Sequence, residues 1–251
     1  EILYQSQYGF RSSHSTTYAV SELTSNILKG FDNKEITLAV FLDLSKAFDT
    51  VDHQILLKKL EHYGVRGVPL LWFKNYLIGR KQFVKYQSYE SNLQNLEYGV
   101  PQGSVLGPLL FIIYMNDLIS SLSICKAILF ADDTTIYITG KDKKELFFEM
   151  NSELLSLTEW FNANKLSLNI SKTNYMVFCP KRMQIDTADD NSCVLIISNE
   201  QINEKNSVKF LGIHLDKHLE WTEHYKVLQK KLGRANYLLN TVKNIVPKKI
   251  M

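Results

Sequence analysis

The sequence predicts an α+β fold, an antiparallel sheet backed by amphipathic helices. Three observations carry that reading. Residues Ala127 to Ala131 and Thr134 to Ile138 are apolar, β-branched runs separated only by Asp132-Asp133, the pattern of strand, tight turn and strand. Leu38-Ala39-Val40-Phe41-Leu42 is a continuous apolar run, as in a central strand covered on both faces. Between Asp142 and Asn164, Leu146, Phe147, Met150, Leu154, Leu157, Trp160 and Phe161 recur at helical spacing.

Taken along the chain, the buried run 38–42 ends in Asp43, at the carboxyl end of a strand, where open sheets place their ligands. The alternative for Asp43 alone is a strand-end residue bonded to nearby backbone. The period then turns helical through Val51, Ile55, Leu56 and Leu60, with Asp49 or Thr50 as cap and Gly64 as the stop. Arg80-Lys81-Gln82-Phe83-Val84-Lys85-Tyr86 alternates basic with apolar or aromatic residues and reads as a strand whose charged face meets nucleic acid. Gly99-Val100-Pro101-Gln102-Gly103 is turn chemistry opening a helix, and Gly103 lets backbone approach a ligand closely. The apolar run from Leu109 to Met115 is too short to span a membrane and is ended by Asn116-Asp117, so it reads as a buried helix.

Asp142 caps the next helix, whose Phe and Trp residues are core and not nucleic-acid platforms. Leu166-Ser167-Leu168-Asn169-Ile170 alternates, and Ser171-Lys172-Thr173 follows. Beyond a strand turn at Phe210-Leu211-Gly212-Ile213, Trp221, Tyr225, Leu228, Leu232, Ala235, Leu239 and Val242 form a helical stripe. Lys226, Lys230, Lys231, Arg234 and Lys243 lie between them.

The aspartate pair is the feature that a structural role does not explain. Two carboxylates about 4 Å apart repel by roughly 4 kcal/mol at an effective dielectric near 20. Such a pair holds a proton or a metal, and paired hard oxygens suit Mg²⁺ or Mn²⁺ beside substrate phosphates. A plain Asp-rich turn is the alternative.

Composition excludes several classes. Hydrophobic residues make up 45% of 251, enough for a sizeable core. Cys125, Cys179 and Cys193 have no metal-ligand spacing, and their odd number argues against a disulfide framework. No signal peptide, membrane span or repeat is visible. A net charge of +3 is weak evidence for nucleic-acid binding, because a basic cleft can hide within a near-neutral total. Lys181 to Ser192, with Asp186, Asp189 and Asp190, reads as a solvated loop and not as a second metal site.

Phe41-Leu42-Asp43-Leu44-Ser45-Lys46-Ala47-Phe48-Asp49, then Gly99-Val100-Pro101-Gln102-Gly103-Ser104-Val105-Leu106-Gly107-Pro108, then Phe130-Ala131-Asp132-Asp133, resemble the reverse transcriptases of non-LTR retrotransposons, with a jockey-like flavour. Three long motifs in the right order make a specific signal covering nearly the whole chain. Ala131 and Tyr8-Gly9-Phe10-Arg11 favour that family over group II intron or telomerase polymerases. The resemblance implies a right-hand polymerase palm with partial fingers and the start of a thumb. Residues 1–36 would join fingers to palm, 37–205 would be palm with a fingers-side insertion around 65–98, and 206–251 would carry the primer-grip hairpin and thumb start.

It also implies roles. Asp43, Asp132 and Asp133 match the family's catalytic carboxylates, with Asp133 the less direct, and Leu44 lends its carbonyl to a second metal. They would hold two Mg²⁺ ions about 3.5–4 Å apart, Mn²⁺ being a possible substitute. Phe48 stands where the family packs an aromatic under the incoming sugar, selecting dNTPs over rNTPs and arguing against an RNA-dependent RNA polymerase; a core Phe is the alternative. Gln102 and Gly103 lie near the templating base and incoming nucleotide. Lys172 matches a lysine proposed to protonate pyrophosphate, a solvated loop lysine being the other reading. Arg11 contacts template or phosphate, His14 is structural, and Phe210, Leu211 and Gly212 grip the primer. The basic helix at 221–243 would track the duplex as the start of a thumb, a solvated amphipathic helix being its alternative.

The implied partners are an RNA template, a DNA primer and dNTPs, with no membrane, in nucleus and cytoplasm. Glu1 at the start and Met251 after a basic run suggest a piece of a longer protein, without the strands that grip the triphosphate, an endonuclease or a full thumb. A truncated, inactive copy is the competing expectation.

Overall fold

The computed structural model describes residues 2–183 and 193–243. Helix α1 (Thr16–Asp32) starts at Ser15, whose side chain accepts from the Tyr18 amide, and leads into the fully buried strand β1 (Ile36–Leu42). Helices α2 (His53–His62) and α3 (Val68–Leu77) come next. Four two-residue strands follow, β2 (Lys81–Gln82), β3 (Lys85–Tyr86), β4 (Tyr89–Glu90) and β5 (Gln94–Asn95). Helix α4 (Leu106–Met115) precedes β6 (Lys126–Phe130), β7 (Asp133–Gly140) and α5 (Lys143–Ala163). Then come β8 (Asn174–Phe178), β9 (Ile196–Ile197), β10 (Glu200–Gln201), β11 (Asn203–Glu204), β12 (Ser207–Phe210), β13 (Ile213–Asp216) and α6 (Thr222–Val242).

One five-stranded sheet organises the molecule, in the order β11-β8-β1-β7-β6, antiparallel except for β11 against β8. β1 is the centre, which is why all seven of its residues are buried and why it reads as a continuous apolar run. Its alternate side chains serve two cores. Leu38, Val40 and Leu42 pack with residues of α2, α4 and α5, including Leu56, Phe111 and Leu154. Ala39 and Phe41 face Ala19, Leu23 and Ile27 of α1 and Phe210 and Leu215 of the β12–β13 hairpin. The sheet is therefore covered on both faces, by helices on one and by α1 with a hairpin on the other.

Several local expectations hold. Asp142 caps α5 by accepting from the Lys144 and Glu145 amides, and Gly64 follows α2 at φ 95°. Phe147 and Phe161 are core, and Trp160 packs against it with Lys59 Nζ 4.8 Å from its ring centroid. The cysteines are free and buried.

Three expectations are corrected. The cap of α2 is Asp52, whose Oδ1 accepts from the Gln54 and Ile55 amides at 2.9 and 3.0 Å, while Asp49 closes a separate 3-10 turn. The 80–86 strand is interrupted at Phe83-Val84, and its halves pair with different partners, β2 with β5 and β3 with β4. Both halves are exposed, so no buried face holds them in one register. The 166–170 alternation makes only an isolated bridge, Leu168 to Leu44. Residues 184–192, which carry the acidic loop, lie outside the described residues.

Candidate active site

The two motifs with aspartates meet at one end of the sheet. The register that pairs Leu42 with Thr134 sets Asp43, the next residue, across from Asp133. Strand alternation puts both on the face of Phe41 and Tyr137. Asp133 is the first residue of β7 and pairs with Phe130, so Ala131 and Asp132 alone form the turn. Ala131 takes the left-handed conformation at φ 57°, which costs an L-residue about 1 kcal/mol or more.

Charge accumulates there. Partial desolvation pushes the Asp133 carboxyl above its ordinary range, with further push from the negative charges of Asp132 and Asp43. Among the described residues no set of three or more His, Cys, Asp and Glu side chains is already gathered as a metal cage. The carboxylates are near enough to repel, and Lys172 Nζ stands 3.9 Å from Asp43 Oδ2 as a partial counter-charge. Paired carboxylate oxygens of this kind are the hard donors that suit a divalent cation.

A stability prediction follows from the sign. A carboxyl whose folded pKa is raised weakens the fold once ionised, and the penalty disappears as pH falls through its folded pKa. Asp133→Asn is therefore expected to raise the metal-free melting midpoint at pH 7 by about 1–2 °C, Asp133 being exposed and its repulsion screened. The gain vanishes in acid. A calorimetric midpoint that falls at pH 7 contradicts it.

The loop after α5 wraps the end of β1. The Thr173 hydroxyl accepts from the Asp43 amide at 3.2 Å, and the Asn169 amide donates to the Asp43 carbonyl at 2.8 Å. Ser45 donates to the Ser167 carbonyl. These bonds bring Lys172 to Asp43.

A second loop brings in Phe48 and Gln102. The Gly99 amide donates to the Val51 carbonyl and the Val100 amide to the Phe48 carbonyl, both at 2.8 Å. Gly99 sits at φ 88°, and a Cβ there would lie 2.9 Å from the Asp49 carbonyl oxygen, so the approach requires glycine. Gln102 Nε2 donates to Asp49 Oδ1 at 2.8 Å. Phe48 is half-buried, stacked on Phe111 at 4.3 Å between centroids, with exposed Phe10 edge-on at 6.2 Å. It therefore combines a core contact with a partly open ring.

The Phe210 turn is pinned to the strand that carries Asp43. Leu211 at φ 45° and Gly212 at φ 92° form the two-residue connection, and Phe210 packs edge-on against Phe41 at 5.8 Å. Arg11 is turned inward: its Nη1 donates to the carbonyls of Tyr4, Gln5 and Gln7. His14 bonds its own loop through Nδ1 and the Ser12 carbonyl at 2.9 Å.

Sequence reading missed Asp49, Asp52 and Gln7. Asp49 ends the segment Phe41–Asp49, but its partner Gln102 is 53 positions away. Asp52 is 4% exposed and also accepts from Lys165 Nζ at 2.7 Å. Its only sequence signal was an Asp three residues ahead of Ile55.

A central antiparallel sheet with carboxylates at the end of β1 and on the β6–β7 turn defines the palm of a right-hand polymerase. The model of the family "Reverse transcriptase (RNA-dependent DNA polymerase)" matches residues 1–215, and the chain belongs to that family. It is 32% identical, over 95% of its length, to the "Probable RNA-directed DNA polymerase from transposon BS" of Drosophila melanogaster, covering 27% of that relative. To the "RNA-directed DNA polymerase from mobile element jockey" of the same species it is 27% identical, over 93% of this chain and 26% of the relative. The chain thus spans about a quarter of the curated relatives it matches. Among solved structures, apo telomerase from Candida tropicalis truncated from its C-terminal domain superposes with a TM-score of 0.56 at 13% identity, over 86% of this chain and 41% of that one, a likeness of fold.

Proposed function

We propose that this chain is the polymerising core of a jockey-like non-LTR retrotransposon enzyme, adding dNTPs to the 3′-hydroxyl of a DNA primer on an RNA template. The observation that carries the reading is the meeting of Asp43 with Asp132 and Asp133 at one end of the sheet, where both neighbouring charges act on the Asp133 carboxyl. Asp43, Asp132, Asp133 and the Leu44 carbonyl would hold Mg²⁺ or Mn²⁺. When bound, the divalent ions supply charge neutralisation and a lowered pKa for the attacking hydroxyl.

The remaining chemistry belongs to the chain. Phe48, backed by Phe111, forms a floor for the sugar and leaves little room for a 2′-hydroxyl. Gln102, oriented by Asp49, and Gly103, at φ 79°, face the base and nucleotide. Lys172 offers a proton to the departing pyrophosphate. Phe210, Leu211 and Gly212 seat the primer end, while Arg11 shapes the template side through the loop it clasps. Copying onto chromosomal DNA would place this work in the nucleus after synthesis in the cytoplasm; among the described residues no helix is long and apolar enough to cross a membrane.

Primer extension on an RNA template with dNTPs and Mg²⁺ tests the reading. Extension that is lost in Asp132→Ala supports it, and no extension with either Mg²⁺ or Mn²⁺ counts against it. The sugar floor has its own test. Phe48→Ala is expected to raise rNTP use relative to dNTP by about 10- to 100-fold, the loss of about 1.4–2.8 kcal/mol of discrimination. An unchanged ratio in single-nucleotide incorporation removes Phe48 from that role.

A further inference from the structure

The segment Gln7-Tyr8-Gly9, to which the proposed function gives no role, is built against the turn that carries Asp132. The Tyr8 amide donates to the Leu129 carbonyl at 2.7 Å, and the Leu129 amide donates to the Ser6 carbonyl at 2.9 Å. This parallel bridge adds a short piece of chain to β6 just before the aspartates. Gln7 is 1% exposed, and its Oε1 accepts from the Gly9 amide at 2.8 Å and from the Ala131 amide at 3.2 Å. A Cβ on Gly9 would collide with the Ala131 backbone nitrogen. Arg11 clasps the Gln7 carbonyl among others, and Ser6 and Tyr8 both donate their hydroxyls to Glu22 of α1.

The two ends of the Gln7 amide are treated differently. The oxygen has two donors, but Nε2 is buried with no hydrogen-bond partner. Burying an unpaired amide group costs stability. What the side chain contributes is thus its acceptor, and one of the amides it holds belongs to Ala131, the residue in left-handed conformation beside Asp132.

We propose that Gln7 is a positioning residue of the active site: its Oε1 holds the Ala131 amide and so fixes the turn that presents Asp132 and Asp133. The proposal rests on the polymerase reading for its catalytic consequence, but the turn itself can be examined without catalysis. A carboxylate displaced by a fraction of an ångström to an ångström from its working geometry loses rate steeply.

The test compares Gln7→Met, which keeps volume and removes the acceptor, with Gln7→Asn, which draws the acceptor back by one methylene, and with Gln7→Glu, which keeps it. Amide hydrogen exchange of the intact chain at residues 129–134 is read first, in metal-free buffer. Primer extension follows, with kcat, KM for dNTP, primer–template Kd and the Mg²⁺ concentration for half-maximal rate. Gln7→Met is expected to speed exchange at Ala131 at least tenfold, lower kcat at least tenfold and raise the Mg²⁺ requirement several-fold. Its primer–template Kd stays within twofold, Gln7→Asn is intermediate, and Gln7→Glu recovers most of both signals. Unchanged exchange at Ala131 in both Gln7→Met and Gln7→Asn overturns the proposal, as does kcat within twofold of wild type in both. So does loss of kcat that tracks a weaker Kd with no change in Mg²⁺ requirement. A wild-type chain that extends no primer defeats the polymerase reading instead, and the exchange comparison then decides the Gln7 contact alone.

Discussion

Asp132→Ala is expected to lower primer extension by at least about 1000-fold, roughly 4 kcal/mol of transition-state stabilisation, without lowering the melting midpoint. The separation of the two effects is the informative part. Asp132 is an exposed turn residue, and its charge adds to the upward push on the Asp133 carboxyl. Removing it relieves repulsion and opens no cavity. A core residue of the same sheet would show the opposite pattern, with stability and rate falling together. Thermal melting and single-turnover extension on one preparation check the expectation, and a midpoint that drops by several degrees would assign Asp132 a structural role.

The second large effect lies away from the carboxylates. Asp52→Ala removes the α2 cap and leaves two amides without their acceptor, at a cost of about 1–2 kcal/mol and a midpoint about 2–8 °C lower. Burial works to raise the Asp52 carboxyl's pKa, but the Lys165 hydrogen bond and the Ile55 and Gln54 amides outweigh it and hold the group below its ordinary value. A lowered folded pKa means stability that is complete above the unfolded value, near 3.9, and lost as pH falls through the folded one. The deficit of the variant should therefore be full at pH 7 and shrink below about pH 4. Calorimetry across that range checks it, and a deficit independent of pH would show that the charge contributes nothing. The damage should also reach the nucleotide side, because His53 Nε2, in the first turn of α2, donates to the Gly99 carbonyl at 2.8 Å.

The elements legible in the sequence are those whose signal is local. The β6–β7 hairpin, β1, α4 and α5 each carry a periodicity or an uninterrupted apolar run bounded by local turn, cap or acidic residues. The aspartates were legible because two charges on an apolar hairpin have no local explanation. What stayed hidden depends on partners distant in the chain. Gln7 looked like any loop residue, and its partner Ala131 lies 124 positions on. Asp52 was passed over as a cap because Val51, which lies outside α2, fits the helical period and moves the apparent start of the helix ahead of it. The 80–86 stretch alternates well enough for a strand, but with no apolar face to bury it divides between two small hairpins.

The central place of β1 has a consequence for biosynthesis. Its neighbours arrive late: Ile36 pairs with Gly140 and Thr37 with Phe178. A ribosome adds about 5–20 residues each second, so seven consecutive apolar residues wait several seconds at least for a first partner and longer for a second. Through that interval the strand presents both edges unpaired, the condition under which nascent chains associate with one another. The central place that buries the strand leading to Asp43 in the finished protein thus leaves its edges open longest in the unfinished one.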